Sequence, residues 1–297
     1  MRFRNVMAAD GGPVERVEMA EISMVGRRCF QANAYLREDL KLRHAPHVVY
    51  GSANGTGADE SPMVARFKAV SEALERWAYM TVQQSGSRHD YGFEVDPSSN
   101  GMAAFPGLWR RQARTAALLE AAERFNLLSW WEGRLEAMET ATPWPGVRAA
   151  VLCSEVPGIT VIVHRQSAFG FYVYGHAAGP DFGSACWRAA MEMERHDRVV
   201  HRYRSTAPVG ADGPGSRSPA GGTPPVEQRC LFFSSPEGHE LFLDRLRTPS
   251  PQAAARPRLV FDGAIPGPWN RYADVWRVAY EPPSDRFLGG DPQYFFW

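Results

Sequence analysis

Cysteine is scarce in this chain. Its 297 residues hold four, Cys29, Cys153, Cys186 and Cys230, and no two form a Cys-x-x-Cys pair. That spacing argues against a zinc knuckle and against a disulfide framework, so separate thiols in a reducing compartment are expected. No apolar run approaches the roughly 18 residues that a membrane span requires. The segment Met1–Gly12 lacks the apolar middle of a signal peptide, which leaves the cytoplasm as the expected location. Neither sign of charge is in excess, with 33 Lys plus Arg against 33 Asp plus Glu. That balance argues against a broad nucleic-acid surface or an acidic-lipid surface. The histidines form no metal motif, and His196 and His201 fit neither a three- nor a four-residue helical step. The glycines at 51–57 are not followed by the Gly-Lys-Ser/Thr of a P-loop. Ser71 lacks a nucleophile-elbow motif.

What is present is a chain with 44% apolar residues, enough for a substantial core in one domain or two packed lobes. Extended pieces are expected around Glu18–Met24 and His47–Tyr50, with a flexible glycine-rich loop over Gly51–Gly57. Ser61 and Pro62 suit the cap and first position of a helix reaching about Gln84. Val64, Phe67, Val70, Leu74 and Trp77 give it helical spacing. A polar connection over Asn100–Ala104 precedes a second long helix, from about Gly107 to Glu139. Val147–Cys153, Ile159–Arg165 and Phe169–Gly175 read as an antiparallel meander, and Gly183–Tyr203 as a third helix.

Residues 206–226 are rich in Pro, Gly, Ser and Ala and read as a loop or disordered segment. Cys230–Phe233 reads as a strand, Gly238–Leu246 as a short helix, and Leu259–Asp262 and Asp274–Tyr280 as strands. Trp130 and Trp131 suit a core rather than a base-stacking surface. The terminal Tyr294-Phe-Phe-Trp297 is costly to expose, so it should dock on its own domain or on a partner. The class is mixed α+β, with helices backing sheets.

The most informative feature is a near-repeat. The first helix carries Ser71-Glu72-Ala73-Leu74-Glu75-Arg76-Trp77, and the second carries Glu120-Ala121-Ala122-Glu123-Arg124-Phe125. The third helix echoes it with Arg188, Glu192, Glu194 and Arg195. Glutamates three apart share a helix face, and the arginine four after the first is close enough to pair with it. Two readings follow. Each motif is a surface ion pair worth about 0.3–0.5 kcal/mol. Alternatively, the two faces meet and four carboxylates converge. Like charges in a poorly solvated cleft disfavour ionisation, and a divalent cation relieves that cost. The glycine loop is similarly open: a surface turn, or a set of N–H groups that can cradle an anion.

Three ordered blocks over about residues 45–200 resemble the YcaO family. The first is Gly55-Thr-Gly57 followed by Ala65 and Ser71–Arg76. The second is Asn100–Ala104 followed by Gln112-Ala113 and Ala117–Arg124, and the third is Gly175–Gly179 followed by Ala185 and Arg188–Glu192. The resemblance implies a single mixed α/β domain over 1–297 with glutamate-bearing helices packed against mixed or antiparallel sheets. It implies ATP and Mg2+ as cofactors, and phosphorylation of a peptide amide oxygen for azoline or thioamide formation, with an internal Cys, Ser or Thr or external sulfide as nucleophile. On that resemblance Glu72, Glu75, Glu120 and Glu123 are the expected metal-side residues. Ser71, Arg76, Arg124, Arg188 and Glu192 are the expected nucleotide-side residues.

Expected partners are a peptide substrate and a separate recognition or TfuA-like protein, with a homodimer left open. The chain departs from the family pattern at five places. Thr56 replaces a loop lysine, Gln112 a carboxylate, Arg195 a glutamine and Phe105 a small residue. A Phe-Phe-Trp end replaces a proline-rich one. The Thr56 and Gln112 departures support an alternative: a diverged, weakly active or inactive YcaO-like protein that binds a peptide or partner enzyme.

Overall fold

The computed structural model describes residue 3 and residues 5–41, 49–206, 224–250 and 256–296. The first layer begins with a long antiparallel hairpin, Val14–Met24 (β1) and Arg27–Leu36 (β2). It turns at Val25-Gly26, where φ is 41° and 79°, the paired positive values that a two-residue hairpin turn requires. Gly55–Asp59 (β3) then adds to β2. The flexible loop expected over 51–57 is therefore wrong in its second half. Gly55 and Gly57 let β3 lie directly on the helix Pro62–Gln84 (α1). A Cβ on Gly55 would overlap Ala69 O and Ala73 N, and one on Gly57 would overlap Ala65 O. Glycine serves close approach at these positions, not flexibility. The Ser61 hydroxyl caps α1 by accepting from Val64 N–H at 3.5 Å, with Pro62 at the first helical position.

Met102–Phe105 (β4) is a strand where a polar connection is expected. Its Met102, Ala103 and Ala104 are buried against neighbouring elements. It joins Leu259–Ala264 (β9) and Asp274–Tyr280 (β10) in the antiparallel order β4-β10-β9. Periodicity near 100–104 is too short to reveal a strand whose partner lies some 170 residues away.

Arg110–Trp131 (α2) stops well short of Glu139. Gly133 adopts φ 76°, and Arg134 N–H donates to Ser129 O at 2.8 Å, closing the helix with a left-handed residue. The freed chain forms Ala137–Ala141 (β5). That strand pairs with the expected meander, here Arg148–Leu152 (β6), Ile159–Gln166 (β7) and Tyr172–Gly179 (β8), in sequential antiparallel order. Phe182–Thr206 (α3) packs across β8 and β7. The β8–α3 contact repeats the β3–α1 device. A Cβ on Gly175 would overlap Ala189 O and Met193 N.

Pro225–Phe233 (α4) and Pro236–Arg247 (α5) follow. The strand expected at Cys230–Phe233 is thus helical. Four apolar residues suit either state, and the start at Pro225 with Cys230 and Phe233 turned inward selects the helix. Of the proline- and glycine-rich segment, 207–223 lie outside the described residues, while Thr206 ends α3 and Pro225 opens α4. Of the extended piece expected at His47–Tyr50, residues 47–48 lie outside the described residues, and Val49 and Tyr50 form a bend.

Tyr294, Phe295 and Phe296 are buried, so the terminal aromatics dock on this chain. Phe295 packs edge-on to Trp130 and Phe233 at 5.6 and 5.0 Å between ring centroids. The fully buried Arg229 holds this tail by donating to the carbonyls of Phe287, Gly289, Asp291 and Phe296. The whole is mixed α+β, with helices on antiparallel sheets, as the pattern implies.

Candidate functional site

Charged side chains of α1, α2 and α3 act on one another across a common cleft: Glu120 of α2 feels Glu72 and Arg76 of α1 and Arg188 of α3. Glu75 of α1 feels Glu120 of α2 and Glu72 of α1 as neighbouring like charges. Burial, and then those two carboxylates, hold the Glu75 carboxyl well above its ordinary range. Arg76 and Arg277 oppose the shift without cancelling it. Burial, and then Glu123, push the Glu120 carboxyl up to about 8, against Arg76 and Arg188. Both side chains sit deep yet keep part of their surface open to water, as at the floor of a cleft.

The other acidic residues are differently engaged. Glu72 Oε2 accepts from the N–H and the hydroxyl of Thr56 at 2.8 and 3.2 Å, and its other oxygen lies 3.7 Å from Arg76. Glu123 is held through both oxygens. One lies 2.7 Å from His176 Nδ1, and the other accepts from Ala178 N–H at 3.0 Å. Glu192 lies at the open side and pairs with Arg195 at 2.6 Å.

Of the four expected cationic or hydroxyl positions, two border that floor. Arg76 and Arg188 are exposed at its rim and act on Glu120. Arg188 also donates to Ala178 O at 2.9 Å. Arg124 faces away. It is buried against Asp96, with one bond of 2.9 Å, and stacks on Phe296 with its guanidinium carbon 4.2 Å from the ring centroid. The Ser71 hydroxyl donates to Ala104 O and so ties α1 to β4. Gln112 is exposed on α2.

Sequence reasoning gave Thr56, His176 and Arg195 no role among the site residues, although all three fall in or beside the family-like blocks. Arg195 had a signal, its three-residue step from Glu192. His176 had none, because its carboxylate partner lies 53 residues away.

Among the described residues, no three acidic, histidine or cysteine side chains are grouped closely enough to hold a metal ion alone. A pair of under-compensated carboxylates does fit magnesium. That ion is commonly held by one or two carboxylates, with phosphate oxygens and retained waters completing its shell. Arg76 and Arg188 at the rim suit the phosphates. No described helix is long and apolar enough to cross a membrane.

No family model matches the sequence, and no curated protein matches it. Solved structures do. A chain of the E. coli microcin synthetase McbBCD complex with pro-MccB17 bound shares 11% identity over 88% of this chain and 86% of that chain, with a TM-score of 0.53. In the E. coli McbBCD complex described without the peptide, the identity is 12% and the TM-score 0.52. YcaO from Methanopyrus kandleri, bound with AMPPCP and Mg2+, shares 15% identity over 95% of this chain and 88% of that chain, with a TM-score of 0.52. The chain therefore has a YcaO-like fold. That likeness extends past the three sequence blocks into the C-terminal third, since it covers 95% of the chain.

Proposed function

We propose that this chain binds ATP with magnesium and activates a peptide or amide carbonyl by phosphorylation, leading to azoline or thioamide-type backbone modification. The observation that carries the reading is the Glu75–Glu120 pair, deep and under-compensated, with Arg76 and Arg188 at its rim. The fold adds support. Its likenesses include a YcaO bound with AMPPCP and Mg2+ and a microcin synthetase complex bound to a peptide.

In this reading Glu75 and Glu120 would hold magnesium. Magnesium, when bound, supplies positive charge to the transferring phosphoryl group. Glu72, fixed by Thr56, borders that site. Arg76 and Arg188 gather phosphate oxygens. Glu123 orients His176 at the cleft edge. A peptide substrate and a separate recognition or TfuA-like protein are the proposed partners. The reducing cytoplasm is the proposed location.

A second reading is favoured by Gln112, which leaves α2 without one expected carboxylate, and by Glu123, whose oxygens are already engaged. In it the cleft retains nucleotide while the chain serves a partner enzyme or peptide. Calorimetry with AMPPCP and Mg2+ tests the common core. Wild type should bind, and Glu75→Gln should lose Mg2+-dependent binding with an unchanged circular dichroism spectrum. An absence of binding heat in wild type sinks both readings. Phosphate release on adding a candidate peptide separates them.

A further inference from the structure

Arg195 links three elements, α3, β3 and α1, through one chain of side-chain hydrogen bonds. Its Nη1 donates to Glu192 Oε1 of α3 at 2.6 Å, and its Nη2 donates to the Thr56 hydroxyl of β3. That hydroxyl and the Thr56 N–H both donate to Glu72 Oε2 of α1. The arginine side chain is only 23% exposed. We infer that Arg195 is a resident cation of the cleft, which neutralises Glu72 and Glu192 and fills, in that half, the position a divalent ion would otherwise take.

The physical case rests on the contrast between the two halves. Among the described residues, no arginine lies within ion-pair distance of Glu75 or Glu120, and both are half-buried. Across the cleft, Arg195 lies 2.6 Å from Glu192 and reaches Glu72 through the Thr56 hydroxyl. A planar guanidinium carries its donors in a fixed fork, so one group can serve a carboxylate and a hydroxyl together. A divalent ion between Glu72 and Glu192 would lie against that guanidinium, and the repulsion of like charges excludes it. One half of the acidic set therefore needs no metal, and the other does. Arg195 is a positioning residue here. It holds Glu72 toward Thr56, away from ion binding. The inference rests on the proposed cation role only for the Glu75–Glu120 half.

Counting bound Mn2+ by electron paramagnetic resonance on the full chain tests it. Arg195→Gln should bind one more Mn2+ per chain than wild type. Arg195→Lys should not, and Arg195→Gln combined with Glu72→Gln should lose the gained ion. Glu192→Gln alone, with Arg195 intact, should leave the wild-type count unchanged, a comparison that stands even where Arg195→Gln fails to fold. Equal counts in wild type and folded Arg195→Gln would overturn the inference, as would loss of an ion in Glu192→Gln. If wild type binds no Mn2+ and Arg195→Gln binds one, the inference holds while the proposed role of Glu75 and Glu120 fails.

Discussion

Glu123 Oε1 lies 2.7 Å from His176 Nδ1, and the opposite oxygen of the same carboxylate accepts from Ala178 N–H. The pair joins α2 to β8 at the edge of the acidic cleft. Removing the carboxylate leaves a ring nitrogen and a peptide N–H without their acceptor. Glu123→Ala should therefore destabilise the fold by about 1–3 kcal/mol, and Glu123→Gln by less. Urea unfolding checks this. Full stability in Glu123→Ala together with lost metal binding would make Glu123 a direct ligand instead.

Glu120 makes a pH prediction. Its folded-state carboxyl titrates near about 8 against an ordinary value of 4.5, and Glu75 is shifted the same way. A raised carboxyl contributes its stability fully below the unfolded value and loses it as pH rises through the folded one. Metal-free protein should lose stability between about pH 4.5 and pH 8 from these groups. Glu120→Gln should remove part of that loss, and Mg2+ should offset it in wild type. Melting temperatures across this range, with and without Mg2+, are the measurement. A pH dependence identical in wild type and Glu120→Gln would refute the assignment.

The histidines act at the other end. Burial lowers His164 to about 3 and His196 to about 4, from an ordinary 6.5. These rings stay neutral in the folded state while the unfolded chain takes up protons. A depressed value contributes stability above the unfolded pKa and loses it as pH falls through the folded one. The contribution of these rings should therefore drop from about pH 6.5 toward pH 4, opposite in sign to that of Glu120 where the two ranges overlap. His164→Phe should flatten that drop in denaturant titrations at fixed pH.

Phe295 is 1% exposed and packs among Trp130, Phe233 and Phe242. Phe295→Ala should cost about 3–5 kcal/mol, the range for emptying a buried aromatic position. A denaturation midpoint unchanged from wild type would mean that the tail is not part of the core.

Gly55→Ala places a methyl group into Ala69 O and Ala73 N of α1. Overpacking of this kind costs about 1–3 kcal/mol, and here the obstacle is backbone, which gives way less easily than a side chain. The variant should also weaken nucleotide binding, because β3 carries Thr56 against Glu72. Thermal melting and calorimetry read the two effects separately.

The chain alone determined those features whose causes are local. The α1 boundaries follow from Ser61, Pro62 and a helical apolar period. The β6–β8 meander follows from short apolar runs between turns, and the shared face of Glu72 and Glu75 follows from helix geometry. Tertiary structure decided the rest. β3 and β4 are strands because distant partners complete their ladders, and Cys230–Phe233 is helical because its inward side chains meet a core. The two arginines of the near-repeat carry the same local signal yet part company. Arg76 stays by Glu72, whereas Arg124 turns to Asp96 and the aromatic tail. The near-repeat raises the approach of Glu75 to Glu120 without deciding it, and the reach of Arg195 to Thr56 has no sequence signature. The Arg195 reach depends on how closely glycine lets β3 and β8 press onto α1 and α3, and that distance is set only when the layers pack.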